Sequence, residues 1–137
     1  MSYNTLAFIK SGVKEKMPVV VVSPKVDGPD YVEVVADGTK TYAQMLATLY
    51  ELADTSKINE KSILRVNNNI CPCIEINGSD FYFGRSFAGS TVRAEMMMYK
   101  LGTTCTRITW IFNTSGNTPY DESSDTVPSG RVIKLYY

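Results

Sequence analysis

The sequence folds back on itself at residues 73–83, which read CIEINGSDFYF. Residues 73–76 and 81–83 are rich in the β-branched and aromatic side chains that favour strands. The pair Asn77-Gly78 lies between them. Asn and Gly accept the positive φ angles of a type I′ turn, whose twist matches that of two paired strands. The stretch therefore predicts a β-hairpin with Asn77-Gly78 at its turn.

Further segments of strand composition lie on both sides of this hairpin. A β-branched run at residues 17–22 and a second segment at residues 31–35 precede it, with Pro, Gly and Asp residues between them. After Lys57 the sequence has mainly strand composition, apart from residues 113–130. The predicted strands there are residues 63–66, 70–76, 80–87, 91–99, 103–112 and 131–137.

One segment has the period of a helix. Apolar residues recur there at intervals of three and four and form a single stripe. These are Tyr42, Met45, Leu46, Leu49, Leu52 and Ala53. Thr41 and Gln44 have the spacing of a capping box, and the polar residues that follow Ala53 disfavour a helix interior. We therefore expect one helix over residues 41–54.

These elements predict a mainly β protein with one α-helix. Strands joined by short turns favour an antiparallel β-sandwich or a partly closed barrel, with the helix across one face or end. A chain of 137 residues that is 44% hydrophobic can bury one core. We expect a single β-rich domain over residues 1–137, with N-terminal strands in residues 1–36 and an antiparallel region in residues 58–137.

The composition argues against several classes of partner and of chemistry. The 14 basic and 14 acidic residues cancel, so no net field attracts nucleic acid or an anionic membrane. The apolar runs are shorter than the roughly 20 residues of a membrane span, and we expect a chain without a signal peptide, made in a cytoplasm. The sequence has no His and no Gly-rich phosphate loop. We expect no enzyme, no cofactor and no bound metal.

The three cysteines and the carboxylates have structural interpretations as well as chemical ones. Cys71, Cys73 and Cys105 are too few for a zinc site of about four ligands without His, so we interpret them as small buried side chains. A glycosidase needs two carboxylates a few ångströms apart. The available acids are Glu75, Asp80, Glu95, Asp121, Glu122 and Asp125. We interpret them as solvated charges, with a glycan hydrolase as the less favoured alternative.

Residues 113–130 consist almost entirely of Ser, Thr, Asn, Asp, Gly and Pro and predict one long loop. Long loops in compact domains are usually functional or disordered. The candidates for contact with a ligand or partner are Asn113, Asn117, Tyr120 and Asp121. A mobile insertion without a role is the alternative.

The late strands carry apolar residues on both faces. Such strands need cover on both sides, and a single helix covers only part of one sheet face. We therefore expect contact with further copies of the chain. The candidate interface residues are Met97, Tyr99, Ile111 and Leu135.

Two segments resemble a known class of proteins. The stretch DGTKTYAQML at residues 37–46, continuing to ADTSKI at 53–58, resembles a segment of head-fibre and tail-fibre proteins of tailed bacteriophages. The ending SGRVIKLYY at 129–137 is similar to their closing strand. The resemblance implies a homotrimer in the virion that decorates capsid or tail proteins, anchored by residues 1–36, with host-surface glycan as a further contact.

The sequence lacks the heptads or other repeats of a fibre stalk, so a compact decoration knob or fibre head is expected. The alternative function is a carbohydrate-binding or receptor-binding module of a phage fibre. Tyr rings stack on sugars, and Asn amides hydrogen-bond to their hydroxyl groups.

Overall fold

The computed structural model describes residues 20–22, 30–90 and 93–137, and of residues 20–22 and 87–90 it describes the backbone only. Within these ranges it contains one α-helix, a short 3-10 turn and nine β-strands. The helix α1 is Tyr42–Leu52 and the 3-10 turn is Thr55–Lys57. The strands are β1 (Val20–Val22), β2 (Tyr31–Val35), β3 (Ile63–Val66), β4 (Asn69–Asn77), β5 (Asp80–Ser90), β6 (Arg93–Leu101), β7 (Thr106–Asn113), β8 (Gly116–Asp121) and β9 (Val132–Tyr136).

The nine strands form one antiparallel sheet in the order β1-β2-β9-β3-β4-β5-β6-β7-β8. The sheet divides at β4, whose residues 69–72 pair with β3 while residues 73–77 pair with β5. A register shift between Cys73 and Glu75 marks this change of partner, and such bulges bend a strand. The described edges β1 and β8 do not pair with each other, so the sheet is open. The predicted fold class, mainly β and antiparallel with one helix, is confirmed.

The helix lies on the inner face of the sheet. Its apolar stripe is buried at Tyr42, Met45, Leu46 and Leu49. It contacts β2 and β9 in one half of the sheet and β6 and β7 in the other. Since one helix of 11 residues touches both halves, the sheet curves around it. The core is completed by inward side chains that alternate along the strands, namely Val32, Val34, Leu64, Val66, Phe81, Phe83, Tyr99, Leu101, Ile133 and Leu135.

The helix begins with the predicted capping box. Thr41 Oγ1 accepts a hydrogen bond from Gln44 N at 3.2 Å, and Gln44 Oε1 accepts one from Thr41 N at 2.9 Å. The helix is shorter than the expected residues 41–54 because Thr41 is the N-cap and Ala53 is an extended C-cap. Asp54 then caps the 3-10 turn by accepting from Ser56 N.

The predicted hairpin is present with a different turn. Asn77 pairs with Asp80 and stays in the strand, so the turn residues are Gly78 and Ser79. Gly78 has a φ of +63°, and Ser79 has a negative φ. Positive φ at the first turn residue alone is the pattern of a type II′ turn. The expected type I′ turn at Asn77-Gly78 was therefore wrong by one residue.

The segment predicted as one long loop at residues 113–130 contains a strand. β8 pairs with β7 from Asn113 opposite Gly116 to Ile108 opposite Asp121. All six residues of β8 are exposed, and Pro119 is tolerated because an edge strand donates hydrogen bonds on one side only. An exposed polar edge strand shows no alternation of apolar and polar residues, which is why composition alone indicated a loop.

The connection from β8 to β9 is fixed across the start of the helix. Tyr42 N donates to Asp125 O at 3.0 Å, and Ala43 N donates to Ser123 O at 2.9 Å. Val127 in the same connection is fully buried. The alternative of a mobile insertion is therefore wrong for this part of the segment.

Other predicted strands are present with shifted ends. β6 ends later than the predicted residues 91–99, and β7 starts later than the predicted residues 103–112. Residues 91–92, residues 17–19 of the first predicted strand and most of the N-terminal region 1–36 lie outside the described residues.

Loss of the cap should weaken the fold. Thr41→Ala removes the hydroxyl that accepts from Gln44 N, and we expect a loss of about 1 kcal/mol in the free energy of unfolding, measured by urea denaturation. Thr48→Ala is the matched control, because its hydroxyl bonds back to Gln44 O within the helix. Ala is the better helix former there, so that variant should be neutral or slightly more stable. Equal effects of the two substitutions would contradict the cap assignment.

Candidate functional site

The four residues predicted as a subunit interface lie inside the single chain. Tyr99 and Leu135 are almost fully buried, and Met97 and Ile111 are 8% and 9% exposed. This prediction was wrong because the sheet curves around the helix and turns these side chains into the chain's own core. Alternation identifies which residues share a face of a strand, and the curvature decides which face is the inner one.

The opposite side chains of the same strands form an apolar outer surface. On β6 these are Met96 and Met98, which lie beside Trp110 and Ile108 of β7 in the antiparallel register. Each is partly exposed. The Trp110 ring stacks on Phe112 with centroids 6.3 Å apart and planes inclined by 17°.

Ile74 extends this surface onto β4. A Cβ atom at Gly84 would lie 2.6 Å from Met96 Cε and 3.0 Å from Ile74 Cδ1, so the Ile74 and Met96 side chains meet over the bare backbone of Gly84. Ile74 is 46% exposed. We call the resulting surface the outer apolar face. It consists of Ile74, Met96, Met98, Ile108, Trp110 and Phe112.

An open depression adjoins the outer apolar face where β4 parts from β3. Its volume is about 630 Å³, and its lining includes Ile74 and Ile76 of β4 together with residues 58–60. Ile76 is 42% exposed. Ile76 lies opposite the core residue Phe81 and shares its side of the sheet, so the depression is not part of the outer apolar face.

Two of the four predicted contact residues, Asn113 and Asp121, use their side chains in hydrogen bonds within local turns. Asn113 Oδ1 accepts hydrogen bonds from Ser115 N at 3.0 Å and from Ser115 Oγ at 2.8 Å. Asp121 Oδ1 accepts from the Ser123 hydroxyl and from Ser123 N. The hydrogen bond from the Ser123 hydroxyl lowers the pKa of Asp121 below its ordinary value. These side chains shape the ends of β8.

The other two predicted contact residues point to different sides of the sheet. Asn117 lies opposite Phe112 and belongs to the outer side, whereas Tyr120 lies opposite Thr109 and belongs to the inner side. Tyr120 is 55% exposed because β8 is an edge strand. The four residues thus do not form one site.

A polar cluster inside the curved sheet holds the β8–β9 connection in place. The guanidinium carbon of Arg107 lies 4.2 Å from the centroid of the Tyr42 ring, which is a cation–π contact. Arg107 Nη1 lies 3.8 Å from Glu122 Oε1, and Thr109 Oγ1 donates to the same oxygen at 2.6 Å. Glu122 is therefore a paired, half-buried acid and not the solvated charge that we expected. Arg107 Nε is buried and lacks a hydrogen-bond partner among the described residues.

A row of charges crosses the outer side of the other half of the sheet. Lys134 of β9 lies between Glu33 of β2 and Arg65 of β3 in the strand register. Lys134 Nζ is 3.2 Å from Glu33 Oε1 and 4.4 Å from the centroid of the Tyr31 ring. Burial lowers the pKa of Lys134, but the hydrogen bond and ion pair with Glu33 outweigh it and leave the pKa above the ordinary value. Lys134 is thus a fixed positive charge.

A small depression of about 190 Å³ lies along this row. We call it the charged groove. It is lined by Glu33, Arg65, Asn67, Asn68, Val132 and Lys134. Sequence analysis missed it, although the register of the central strands would have identified it once β9 was placed between β2 and β3.

The cysteines fit the structural interpretation. Cys71 and Cys105 are buried, Cys73 is half-buried, and all three are free thiols. Burial raises the pKa of Cys71 to about 11. The part of the chain that the structure describes contains no group of three or more His, Cys, Asp or Glu placed to hold a metal ion.

The described residues form a curved antiparallel sheet around one helix, with an apolar region and a charged region on the outer side of the sheet. Among the described residues, no helix has the length and apolarity to cross a membrane. No family model, curated protein or solved structure matches the chain. The features of the chain that bear on its function are therefore the two outer surfaces and the sequence resemblance.

Buried acidic groups on the inner face predict loss of stability at alkaline pH. Burial raises the pKa of Cys71 from 9.0 to about 11 and that of Tyr99 from 10.0 to about 12. Above pH 9 the unfolded chain begins to release protons that the folded chain retains, so the free energy of unfolding should fall as pH rises towards about 12. Urea denaturation at pH 8 and at about pH 10.5 measures this.

Tyr99→Phe is the control for the alkaline effect. It removes one of the buried groups whose pKa is raised, so its stability should fall less steeply over the same pH interval, with the thiols of Cys71 and Cys105 among the groups that account for the remainder. An unchanged denaturation midpoint in the wild-type protein, or an identical pH slope in the variant, would contradict the assignment.

Proposed function

We propose that this chain is a structural protein of a bacteriophage virion, which decorates the capsid or tail as a compact homotrimeric knob. The observation that carries the proposal is the outer apolar face, an apolar surface on a sheet whose inner side already forms a complete core. The sequence resemblance supplies the class of particle and the three-fold symmetry. The anchoring role of residues 1–36 is part of the same proposal.

Apolar area exposed to water carries a free-energy cost that self-association would remove. Each Å² of apolar surface removed from water stabilises by about 25 cal/mol, and contiguous apolar patches on soluble proteins commonly mark contact surfaces. Trp110 and the methionines Met96 and Met98 are residue types enriched at the centres of protein interfaces. Closed symmetric assembly is the usual outcome when one patch meets further copies of the same chain.

The segments that carry the resemblance also occupy fold-determining positions. Residues 37–46 form the turn and the capped start of α1, and residues 129–137 include the central strand β9. A protein that shares both segments would share the way in which the helix enters the curved sheet. The resemblance therefore lies in segments that position the helix and a central strand of this chain.

The location is tested on purified particles. Mass spectrometry of virions banded on a density gradient should detect peptides of this chain in stoichiometric amounts, and gold-labelled antibody should decorate the capsid or tail in electron micrographs. A chain found only in the soluble fraction of infected cells, and absent from banded particles, would refute the virion role.

The oligomeric state is tested with charge substitutions on the outer apolar face. Light scattering at micromolar concentration should give three times the mass of the single chain. Met98→Glu and Trp110→Glu place a carboxylate in the proposed contact and should shift the protein to monomer, since burying an unpaired charge costs several kcal/mol. Substitution of Met97 or Ile111 would instead disrupt the core, so those positions cannot test the interface.

Ile70→Glu is the matched control. Ile70 is 53% exposed on β4 and does not belong to the outer apolar face. This variant should remain trimeric with an unchanged circular dichroism spectrum. A monomeric wild-type protein, or a trimer that persists in both the Met98 and the Trp110 variants, would refute the proposed interface.

A further inference from the structure

We propose that the charged groove is a binding site for a carboxylate-bearing monosaccharide unit, such as a uronic acid residue of an acidic polysaccharide. This goes beyond the structural role proposed above. The groove is formed within one chain, so the inference stands independently of the trimer and of the virion location.

The charge of the groove is fixed by its central row. Glu33 and Lys134 neutralise each other at 3.2 Å, and both side chains are largely buried, at 17% and 20% exposed. The Tyr31 and Tyr136 rings flank the Lys134 ammonium at 4.4 and 5.5 Å and hold it in place. Arg65 therefore contributes the uncompensated positive charge of the groove, next to a paired carboxylate.

Arg65 is oriented for recognition. It is exposed, and its Nε donates to Asn67 O at 2.9 Å, which leaves the two terminal nitrogens without a partner among the described residues. A guanidinium recognises a carboxylate through two parallel N–H bonds, which a lysine cannot reproduce. The anionic group of a ligand thus has a defined position at one end of the groove.

The amides come from the turn between β3 and β4. Asn67 and Asn68 form the two-residue connection between β3 and β4, and Asn67 has a φ of +56°, a conformation that Asn tolerates better than most residues. Asn67 N donates to Val132 O at 2.7 Å and ties this turn to β9. The exposed Asn68 amide has no described partner and can both donate to and accept from hydroxyl groups.

The size and floor of the groove select a small polyhydroxylated ligand. A volume of about 190 Å³ is below the roughly 300–1,000 Å³ of pockets for drug-sized molecules and suits a single sugar ring. Val132 provides an apolar contact for the C–H face of such a ring, while Glu33 accepts hydrogen bonds from hydroxyls.

Titration of the ¹⁵N-labelled full chain followed by amide NMR shifts tests the site. The probes are methyl glucuronide and methyl galacturonide, with methyl glucoside and methyl galactoside as neutral partners and acetate as the simple anion. We expect saturable shifts at residues 65–68 and 132–134 for a uronide. The neutral sugar and acetate should each bind at least about tenfold more weakly, because each lacks one set of contacts.

Two substitutions and one control complete the test. Arg65→Gln should weaken uronide binding by about tenfold or more, as expected for loss of a charge-assisted pair. Asn68→Asp should weaken it by repulsion, without a change of side-chain size. Arg93→Gln is the matched control, since Arg93 is an exposed arginine on β6 whose partner is Glu95; its affinity should equal that of the wild type.

The inference is overturned by any of three results. These are no shift at the groove with either uronide at millimolar concentration, acetate binding as tightly as the uronide, or equal affinities of the Arg65 and Arg93 variants. The virion role is judged separately by particle composition, so either proposal can fail without the other.

Discussion

The hydrogen bonds at the start of α1 are the constraint on which the rest of the fold depends. The first backbone N–H groups of a helix have no partner within the helix. Here those of Tyr42 and Ala43 donate to carbonyl oxygens of the β8–β9 connection, and that of Gln44 donates to Thr41 Oγ1. The helix end is thereby satisfied only when the connection lies across it. This ties the edge strand β8 to the helix and to the opposite half of the sheet.

The packing of the helix and the β8–β9 connection on the inner side decides which side chains lie on the outer side of the sheet. The helix and the β8–β9 connection fill the concave side, so the apolar side chains that point inward are buried in the core. The alternate apolar side chains of β6 and β7 point outward and form most of the outer apolar face. The other half of the sheet carries Glu33, Lys134 and Arg65 on its outer side. One curved sheet thus presents an apolar region and a charged region, divided by the change of partner along β4.

Local patterns predicted the elements well and the surfaces poorly. The helix stripe, its capping box and the hairpin near Gly78 depend on residues close in sequence, so the sequence specifies them directly. β8 was missed because a polar edge strand has no apolar periodicity. The assignment of Met97, Tyr99, Ile111 and Leu135 to an interface failed because curvature depends on contacts between distant elements. The charged groove was invisible for the same reason, since its two basic residues are brought together by the placement of β9 beside β3.

The arrangement would allow the proposed assembly and the proposed ligand binding to coexist. Arg65 on β3 and Trp110 on β7 are four strands apart, which corresponds to about 19 Å along the sheet at the usual strand spacing. The bend at β4 inclines the two regions away from each other. A neighbouring copy seated on Trp110 would therefore leave the guanidinium of Arg65 in contact with solvent. Three copies would present three charged grooves, and simultaneous contacts with one polysaccharide would raise the avidity well above the affinity of a single groove.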